Sequence, residues 1–385
     1  MYLNLVKSRV FKALEQIQYG QLSILGPDGS TYAFSGSKPG PEVQVELDDW
    51  RVLASLAAKG SIGLTEEYRD ERMRTSNLAG LLELGLINDD CLQPYLSGGV
   101  FARCVAQVGY LFNANTLRGS RRNIHAHYDL GNDFYQLWLD ASMTYSSAIF
   151  EEGDDLLTAQ HRKYDRILNC FDGSSGNVIE LGCGWGGFAE RAMGAGDFDI
   201  KGITLSEEQA RYARHRLGNT ADIAIEDYRI QQGKYQNIVS IEMFEAVGER
   251  YWPHYFSKVK SLLADKGKAV IQTIVIGEQW FDKYRRGSDM IRTFVFPGGM
   301  LPSKERFFIE AKKAGLKAGN THRFGQDYAT TLEHWQQTFD AKLQDVQALG
   351  FDGQFIRIWK FYLAACIAGF REGRIDVIQV ELTHD

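Results

Sequence analysis

The stretch of sequence that decides the fold is residues 178–187, which read VIELGCGWGG. A short, mostly apolar segment leads directly into a turn that contains four glycines. Glycine has no Cβ, so such a turn lets the backbone approach a bound molecule where any other residue would collide with it. An apolar strand, a glycine-rich turn and then a helix predict the first βα unit of an open α/β sheet whose ligand lies at the carboxyl ends of the strands.

The spacing of the glycines indicates which ligand this is. A dinucleotide-binding loop reads G-x-G-x-x-G and is followed by an acidic residue about 20 positions later. In this chain the glycines are Gly182, Gly184 and Gly186, and the acidic residue, Glu180, precedes the turn. This arrangement is the usual mark of a loop that holds the amino-acid part of S-adenosylmethionine (SAM). The alternative is a glycine-rich turn without a ligand.

Further contacts to the cofactor are expected where the next two strands end. The second strand ends in Thr204 and Leu205, and Gln209 follows closely. The carboxylate that usually binds the ribose is missing there, so Thr204, Ser206 and Gln209 are the polar candidates. Asp227 and Tyr228 follow the third strand and are expected near the adenine. A charged surface turn explains this last pair equally well.

Strands and helices alternate from about residue 125 to the end, which predicts a parallel sheet covered by helices on both faces. We therefore expect residues 125–385 to form an α/β domain with a doubly wound, mostly parallel sheet. The predicted strands are residues 177–181, 200–205, 223–225, 237–242 and 269–276, and the predicted helices are residues 187–195, 207–217 and 251–263.

Residues 1–108 have a different pattern and predict a smaller α+β domain that binds or positions rather than catalyses. An amphipathic helix is expected to run from the N-terminus to Gly20, followed by short strands and then helices. Residues 109–124 are expected to form a linker in which Arg118, Arg121 and Arg122 lie close together. These arginines could contact anionic headgroups, at about 1 kcal/mol each near such a surface, or could belong to an ordinary solvated linker.

The composition excludes several classes of protein. The 385 residues are 44% hydrophobic and 24% charged, which is typical of a folded globular chain. The net charge of −6 gives no reason to expect a nucleic-acid partner. No apolar run approaches the roughly 20 residues of a membrane-spanning helix. Five cysteines without a C-x-x-C pair favour a reducing compartment over a disulfide framework or a zinc site, so we expect a cytoplasmic protein without a metal.

Eight segments in register resemble the cyclopropane-fatty-acid synthases and mycolic-acid methyltransferases. They are the glycine-rich loop and residues 127–135, 143–148, 202–209, 243–248, 296–303, 324–328 and 362–370. The N-terminal domain resembles that of the bacterial members that act on phospholipids. The resemblance implies a class I SAM methyltransferase fold and transfer of the SAM methyl group to the double bond of an unsaturated acyl chain. It also places Tyr145 and Ser146 in contact with the cofactor.

In that family methyl transfer leaves a carbocation on the acyl chain, and a bound bicarbonate takes the proton whose loss closes a cyclopropane ring. The resemblance places the bicarbonate ligands at Glu245, Tyr328 and the backbone of Ile274, and at two positions where this chain departs from the family. Ser147 stands where the family has Cys, and Gln272 stands where it has His. Both can still donate hydrogen bonds to an anion, but Gln272 cannot carry a proton as His can. A cyclopropane and a methyl- or methylene-branched chain are therefore both expected products.

Other interpretations of these residues stay open on the sequence alone. Each of the polar residues could be an ordinary core residue, and Cys366, which some family descriptions place in the active site, is a small apolar residue in an apolar segment. A methyltransferase for another substrate and a non-catalytic lipid-binding homologue are the rival functions.

The long connection at residues 277–300 mixes aromatic residues with Lys283, Arg285, Arg286 and Arg292, which predicts a lid that contacts anionic lipid; a helical insertion with a solvated face is the alternative. We expect a peripheral enzyme at the inner face of the membrane with phospholipid as its substrate. The sequence is also compatible with a homodimer and with a reductase partner that finishes the product.

Overall fold

The computed structural model describes residues 2–96 and 130–385. The chain separates into two compact units, each made of several segments. Of the described residues, the first unit holds 2–96, Lys283–Pro297 and Leu343–Gly373, and the second holds 130–282, Gly298–Lys342 and Arg374–Asp385. The predicted linker at residues 109–124, with its arginines, lies outside the described residues, as does the predicted end of the N-terminal domain at residue 108.

Strands and helices are numbered separately, each in chain order. The strands are β1 (Tyr19–Leu25), β2 (Thr31–Ser35), β3 (Lys38–Leu47), β4 (Met73–Thr75), β5 (Ser175–Leu181), β6 (Asp197–Thr204), β7 (Asp222–Ile225), β8 (Tyr235–Ile241), β9 (Leu263–Ile276), β10 (Leu316–Arg323) and β11 (Ile375–His384). The helices are α1 (Tyr2–Leu14), α2 (Arg51–Lys59), α3 (Ser61–Arg69), α4 (Leu78–Ile87), α5 (Asp89–Leu96), α6 (Asn132–Gln136), α7 (Leu156–Leu168), α8 (Gly187–Ala195), α9 (Glu207–Leu217), α10 (Trp252–Leu262), α11 (Glu278–Arg286), α12 (Lys304–Lys313), α13 (Gly325–Ala341), α14 (Leu343–Ala348) and α15 (Gly353–Arg371).

The first unit is built around a four-stranded sheet with the order β2-β1-β3-β4. β1 pairs antiparallel with β2 and parallel with β3, and β3 pairs antiparallel with β4. The C-terminal helix α15 belongs to this unit, because Phe361 packs 5.9 Å from Tyr68 of α3 and Arg371 lies 3.1 Å from Glu83 of α4. The units are therefore interleaved along the chain, which differs from the contiguous division into 1–108 and 125–385.

The N-terminal helix is shorter than the amphipathic pattern predicts. It ends at Leu14, and β1 begins at Tyr19, so the expectation of a helix up to Gly20 is wrong. The physical reason is that the backbone N–H groups of Gln18 and Tyr19 donate to the Asn88 side chain at 2.8 and 3.1 Å, and that the residues of β1 pair with β3. Helix α4 begins at Leu78 and is capped by Asn77, whose side chain accepts a hydrogen bond from the Gly80 N–H at 2.8 Å.

The second unit contains a seven-stranded sheet with the order β10-β11-β9-β8-β5-β6-β7. The five strands from β9 to β7 are parallel, and β11 and β10 extend the sheet antiparallel. This confirms the predicted α/β fold with a doubly wound, mostly parallel sheet. The strand order turns back at β5, which lies between β6 and β8, and open α/β sheets bind their ligands at such a point, beyond the carboxyl ends of the strands.

The central strands carry fully buried apolar side chains, which fix the positions of the strands and of their carboxyl ends. Val178 of β5, Ile200 of β6, Val239 of β8 and Val270 of β9 are at most 1% exposed and belong to one core cluster. Burying each such side chain contributes about 1.5–3 kcal/mol relative to leaving it exposed. The loops that follow these strands therefore start from rigid positions.

The segment after β9 does not present all of its predicted positive charge. It forms α11 and then a π-helix, Ile291–Val295. Arg292 is buried, and its guanidinium pairs with Asp289 at 2.9 Å and lies 4.2 Å from the centre of the Tyr284 ring. The expectation that Arg292 faces lipid is therefore wrong. Arg285 and Arg286 are exposed. In the described part of the chain, no helix combines the length and the apolar character needed to cross a membrane.

Candidate active site

The glycine-rich loop joins β5 to α8 with an unusual backbone. Gly182, Gly184 and Gly186 have φ angles of 87°, 52° and 83°, in the left-handed region that glycine adopts at little cost. A Cβ added to Gly184 would meet no atom within 4 Å, so the backbone there is open to an incoming ligand. The loop therefore has the shape that the sequence predicts for a cofactor cradle.

A cavity that is partly open to solvent lies where β5, β6, β7 and β8 end. Ten of the eleven residues predicted to contact the cofactor line it. They are Tyr145, Ser146, Glu180, Gly182, Gly184, Thr204, Leu205, Gln209, Asp227 and Tyr228.

Gly186 is the predicted cofactor residue that does not line the cavity. A Cβ at this position would lie 3.1 Å from Cδ1 of Leu217 and 3.3 Å from Cβ of Ala213, both on α9. Glycine is needed at this point for the close approach of the loop to that helix. Its role is packing, which the sequence pattern could not separate from ligand binding.

Glu180 provides a test of whether the cavity fits SAM. It is 3% exposed, and its Oε2 atom has no hydrogen-bond partner among the described residues. Burial raises the pKa of this carboxyl to about 8. A buried carboxylate oxygen without a donor is costly, and a cationic ammonium group would supply one. The amino-acid part of SAM carries such a group, so the residues present fit the cofactor.

Of the residues expected to contact the ribose and the adenine, Gln209 keeps a donor available for a ligand, whereas Asp227 is already paired. The Thr204 hydroxyl donates to Oε1 of Gln209 at 2.8 Å, which leaves the Gln209 amide nitrogen to donate to a ligand hydroxyl. Asp227 is already paired, since its carboxylate accepts from the Arg229 guanidinium at 2.8 and 2.6 Å. A ligand would therefore meet an ion pair at Asp227, and the neighbouring Tyr228 offers an aromatic ring at the cavity wall.

Ser146 contacts a residue that was not predicted to belong to the site. Lys163 of α7 is fully buried, and its Nζ donates to Oγ of Ser146 at 2.6 Å. Burial lowers the pKa of Lys163 to about 7, against the opposing effect of nearby carboxylates, of which Glu242 is the largest. The sequence carries a signal for it, because Gln160 and Lys163 lie at helical spacing on the same face as the apolar Ile167.

Three of the predicted site residues converge on a carboxylate that was not predicted. Glu242 directly follows β8, and its Oε1 accepts the Ser147 backbone N–H at 2.9 Å and the Gln272 amide at 2.7 Å. Its Oε2 accepts the Tyr328 hydroxyl at 2.5 Å. We call these four residues the Glu242 cluster. The available signal was an acidic residue at the carboxyl end of the predicted strand 237–242.

The donors of the Glu242 cluster are held in a defined orientation. Gln379 of β11 lies opposite Gln272 of β9, and its Nε2 donates to Oε1 of Gln272 at 2.9 Å. Gln272 must therefore present its amide hydrogens to Glu242. The Ser147 hydroxyl instead donates to the Ala148 carbonyl at 3.0 Å, so Ser147 contributes its backbone and not its side chain.

The backbone of Glu242 is in an unfavourable conformation. Its φ of 49° lies in the left-handed region, which costs an ordinary residue about 1–2 kcal/mol relative to a right-handed conformation. Met143, which lines the same cavity, has a φ of 52°. Residues held in such conformations concentrate at functional sites. Both therefore point to this cavity as the working part of the protein.

The second predicted carboxylate, Glu245, is bound differently. Its Oε1 accepts the Ile274 backbone N–H at 2.5 Å and the Thr273 hydroxyl at 2.9 Å. Its Oε2 has no partner among the described residues. Burial, together with the neighbouring charge of Glu242, raises the pKa of Glu245 to about 8. The Ile274 group that the resemblance assigns to an anion is thus bonded to Glu245 itself.

Cys366 is buried on α15, in the first unit, and its predicted place in the active site stays a prediction. In the second unit, the site consists of the glycine-rich loop, the Glu180 carboxyl and the Glu242 cluster.

Comparison with known proteins identifies the family. The sequence pattern described as mycolic acid cyclopropane synthetase matches residues 115–380, which is more than half of the chain. The chain belongs to this family. It is 32% identical over 360 residues to the cyclopropane-fatty-acyl-phospholipid synthase of Escherichia coli K12, covering 90% of this chain and 89% of that protein.

Two further comparisons cover about two thirds of the chain. The chain is 38% identical over 281 residues to the tuberculostearic acid methyltransferase UfaA1 of Mycobacterium tuberculosis H37Rv, covering 69% of this chain and 66% of that protein. It matches the solved structure of the mycolic acid cyclopropane synthase CmaA1 complexed with SAH and CTAB with a TM-score of 0.64 and 29% identity, covering 68% of this chain and 97% of that one.

As a member of the mycolic acid cyclopropane synthetase family, the protein is a SAM-dependent methyltransferase. When bound, SAM supplies a methyl group activated by a positively charged sulfur. The glycine-rich loop and Glu180 are the groups that would hold its amino-acid part, and Thr204 and Gln209 are those that would hold its ribose. Because Ser146, Met143 and Glu242 line the same cavity, the Glu242 side chain adjoins the space that the cofactor would occupy.

Proposed function

We propose that this methyltransferase transfers the SAM methyl group to the double bond of an unsaturated acyl chain of a membrane phospholipid. The reaction passes through a carbocation and gives a cyclopropane or a methyl- or methylene-branched chain. The observation that carries the proposal is the position of Glu242, which lines the cofactor cavity and accepts hydrogen bonds from three donors.

The surroundings of the cavity suit a cationic intermediate. An alkene is a weak nucleophile, so the methyl donor and the double bond must be held in line, and such orientation contributes several kcal/mol. The carbocation then needs negative charge and aromatic faces and must be kept from water. Negative charge is available from Glu242. Tyr145 lines the cavity, and its ring packs 5.2 Å from that of Trp335, which in turn lies 6.1 Å from the Tyr328 ring.

We further propose that the enzyme is cytoplasmic and acts at the inner face of the membrane by peripheral contact. The exposed Arg285 and Arg286 at the end of α11 supply positive charge suited to anionic headgroups. A homodimer and a reductase that converts a methylene product to a methyl branch are further partners compatible with this function.

The proposal is tested with methyl-labelled SAM and vesicles of a mono-unsaturated phospholipid. After incubation the acyl chains are released and analysed by mass spectrometry and NMR. We expect one labelled carbon per modified chain, and NMR separates a cyclopropane from a branched product. Vesicles of the matching saturated phospholipid are the control and should remain unlabelled. Label in soluble acceptors only, or in no acyl chain, would refute the lipid function.

A further inference from the structure

The donors of the Glu242 cluster come from residues at positions that the family resemblance assigns to a bound bicarbonate. Ser147, Gln272 and Tyr328 occupy three of those positions, and in this structure each donates a hydrogen bond to the Glu242 carboxylate. A carboxylate has the same planar pair of acceptor oxygens as bicarbonate. The side chain therefore fills the place of the anion with a group of matching chemistry.

We propose that Glu242 is the base of the reaction, and that its carboxylate takes the proton for which the family otherwise uses bicarbonate. This inference rests on the function proposed above, because it concerns the fate of a proton that only that reaction releases. It also accounts for the two departures from the family, Ser147 and Gln272, since neither has to carry a proton when the chain itself supplies the base.

The hydrogen bonds leave Glu242 able to accept a proton. An ionised carboxylate offers about four acceptor positions. Three are used, two of them on Oε1 and one on Oε2. The remaining position is on Oε2, the oxygen bonded to Tyr328. All three partners act as donors to Glu242, so they stabilise the ionised form of the carboxyl, which is the form that a base needs.

The proton transfer is balanced in atoms and electrons. One alkene carbon bonds to the incoming methyl carbon while the carbon–sulfur bond of the donor breaks and its electron pair stays on sulfur. The other alkene carbon becomes the cation. A C–H bond of the new methyl group then breaks, its electron pair forms the new carbon–carbon bond and its proton moves to Glu242. The electron pair closes a ring directly, or forms an exocyclic double bond if a hydride shifts between the two chain carbons first.

The other buried ionisable groups are less suited to this role. Glu245 is tied to the Ile274 N–H and the Thr273 hydroxyl and is not among the residues that line the cavity. Lys163 donates to Ser146. Glu180 lies on β5, where its unpartnered oxygen suits the ammonium group of the cofactor. Glu242 is the one of these four that combines cavity contact with a complete set of fixed donors.

The backbone supports the same assignment. Glycine would adopt the φ of 49° at position 242 at much lower cost than glutamate does. Glutamate at this position places a carboxylate among three donors. The strain is thus associated with a chemical group at a working site, which is the usual context for such conformations.

The first test uses the unaltered enzyme in buffer freed of carbon dioxide and in the same buffer with added bicarbonate. Methyl transfer to vesicles of mono-unsaturated phospholipid is followed by the release of labelled acyl product. We expect the two rates to agree within twofold. A rate that falls at least tenfold without bicarbonate would overturn the inference. The proposed function fails in a different way, by giving no labelled acyl chain in either buffer.

The second test substitutes the base while keeping its shape. Glu242→Gln should lose at least about 100-fold in turnover, because general bases contribute about 10²–10⁴-fold, and Glu242→Asp should retain more activity than Glu242→Gln. The matched control is Glu310→Gln, at a buried carboxylate of α12 that is paired with Lys313 at 2.8 Å; its turnover should be unchanged.

A SAM titration shows whether the Glu242→Gln protein is folded. A Glu242→Gln protein that binds SAM and turns over within fivefold of the unaltered enzyme would overturn the inference. If this variant does not bind SAM, the bicarbonate comparison on the unaltered enzyme decides alone.

Discussion

Removing the hydrogen bond between Tyr328 and Glu242 would change the pKa of the proposed base without removing its carboxylate. The Tyr328→Phe substitution deletes one hydroxyl, which donates to Oε2 of Glu242 at 2.5 Å. Burial is the main reason that the pKa of Glu242 is raised, and the donors from Tyr328, Ser147 and Gln272 oppose it. When one donor is removed, fewer hydrogen bonds counteract the effect of burial, so the pKa of Glu242 should rise further.

The size of the effect follows from the type of bond. A hydrogen bond to a charged group contributes about 1.5–3 kcal/mol, and about 1.4 kcal/mol corresponds to one pKa unit. We therefore expect the acidic limb of the turnover profile to move upward by about one to two pH units. Below that limb the variant should be about 10- to 100-fold slower, since each pH unit changes the ionised fraction tenfold. Above the limb its rate should approach that of the unaltered enzyme.

The assay is turnover on mono-unsaturated phospholipid vesicles between pH 5.5 and 9. The other ionisable groups around Glu242 are Lys163, Glu245 and Tyr328, so only the difference between the variant and the unaltered enzyme is interpreted. The control is Tyr235→Phe, at the opposite end of β8 and about 23 Å along the strand from Glu242; its profile should not move. The reasoning would be refuted if the acidic limb of the Tyr328→Phe profile stayed at the same pH, or if the turnover rate fell by the same factor at every pH.

Three more predictions concern the cofactor loop and the supporting residues. Burial raises the pKa of Glu180 to about 8, and the ammonium group of SAM favours the ionised carboxyl, so SAM binding at pH 7 should release about one proton. Calorimetry in two buffers measures this release, which Glu180→Gln should abolish; a variant that releases as many protons as the unaltered enzyme would contradict the prediction. Gly186→Ala should lower the free energy of unfolding in urea by about 1–3 kcal/mol, from its φ of 83° and the contact with Leu217; no change would contradict the packing role. Gln379→Leu should lower turnover with SAM affinity unchanged, because Gln272 loses the donor that orients it; a loss of SAM affinity alone would argue against that role.

Much of the fold and of the cofactor site can be predicted because the signals are local. The apolar strand, the glycine-rich turn and the helix at residues 178–187 are contiguous, and the parallel sheet of the second unit follows from the alternation of strands and helices. Residues at the ends of successive parallel strands lie at one edge of the sheet. Thr204, Asp227 and Tyr228 could therefore be placed in one cavity from their positions in the chain alone.

The remaining features depend on geometry that a sequence pattern does not express. Gly186 resembles its neighbours in the loop, and only the distance to Leu217 shows that it packs against a helix. Ser147 takes part through its backbone N–H, which every residue except proline has. The importance of Glu242 depends on a left-handed backbone conformation and on the pairing of β9 with β11, which brings Gln379 to Gln272. Such long-range contacts have no local signature.

The two departures from the family acquire a different meaning once the position of Glu242 is known. The occupancy of an anion site depends on the concentration of the anion relative to its dissociation constant, whereas a carboxylate of the chain is always at its site. Supplying the base from the chain destabilises the protein itself, through the φ of 49° at Glu242 and the burial of its charge. With the anion supplied by the chain, a serine backbone and a glutamine amide are sufficient donors. Ser147 and Gln272 are therefore consistent with a change in the source of the base and not with a loss of catalysis.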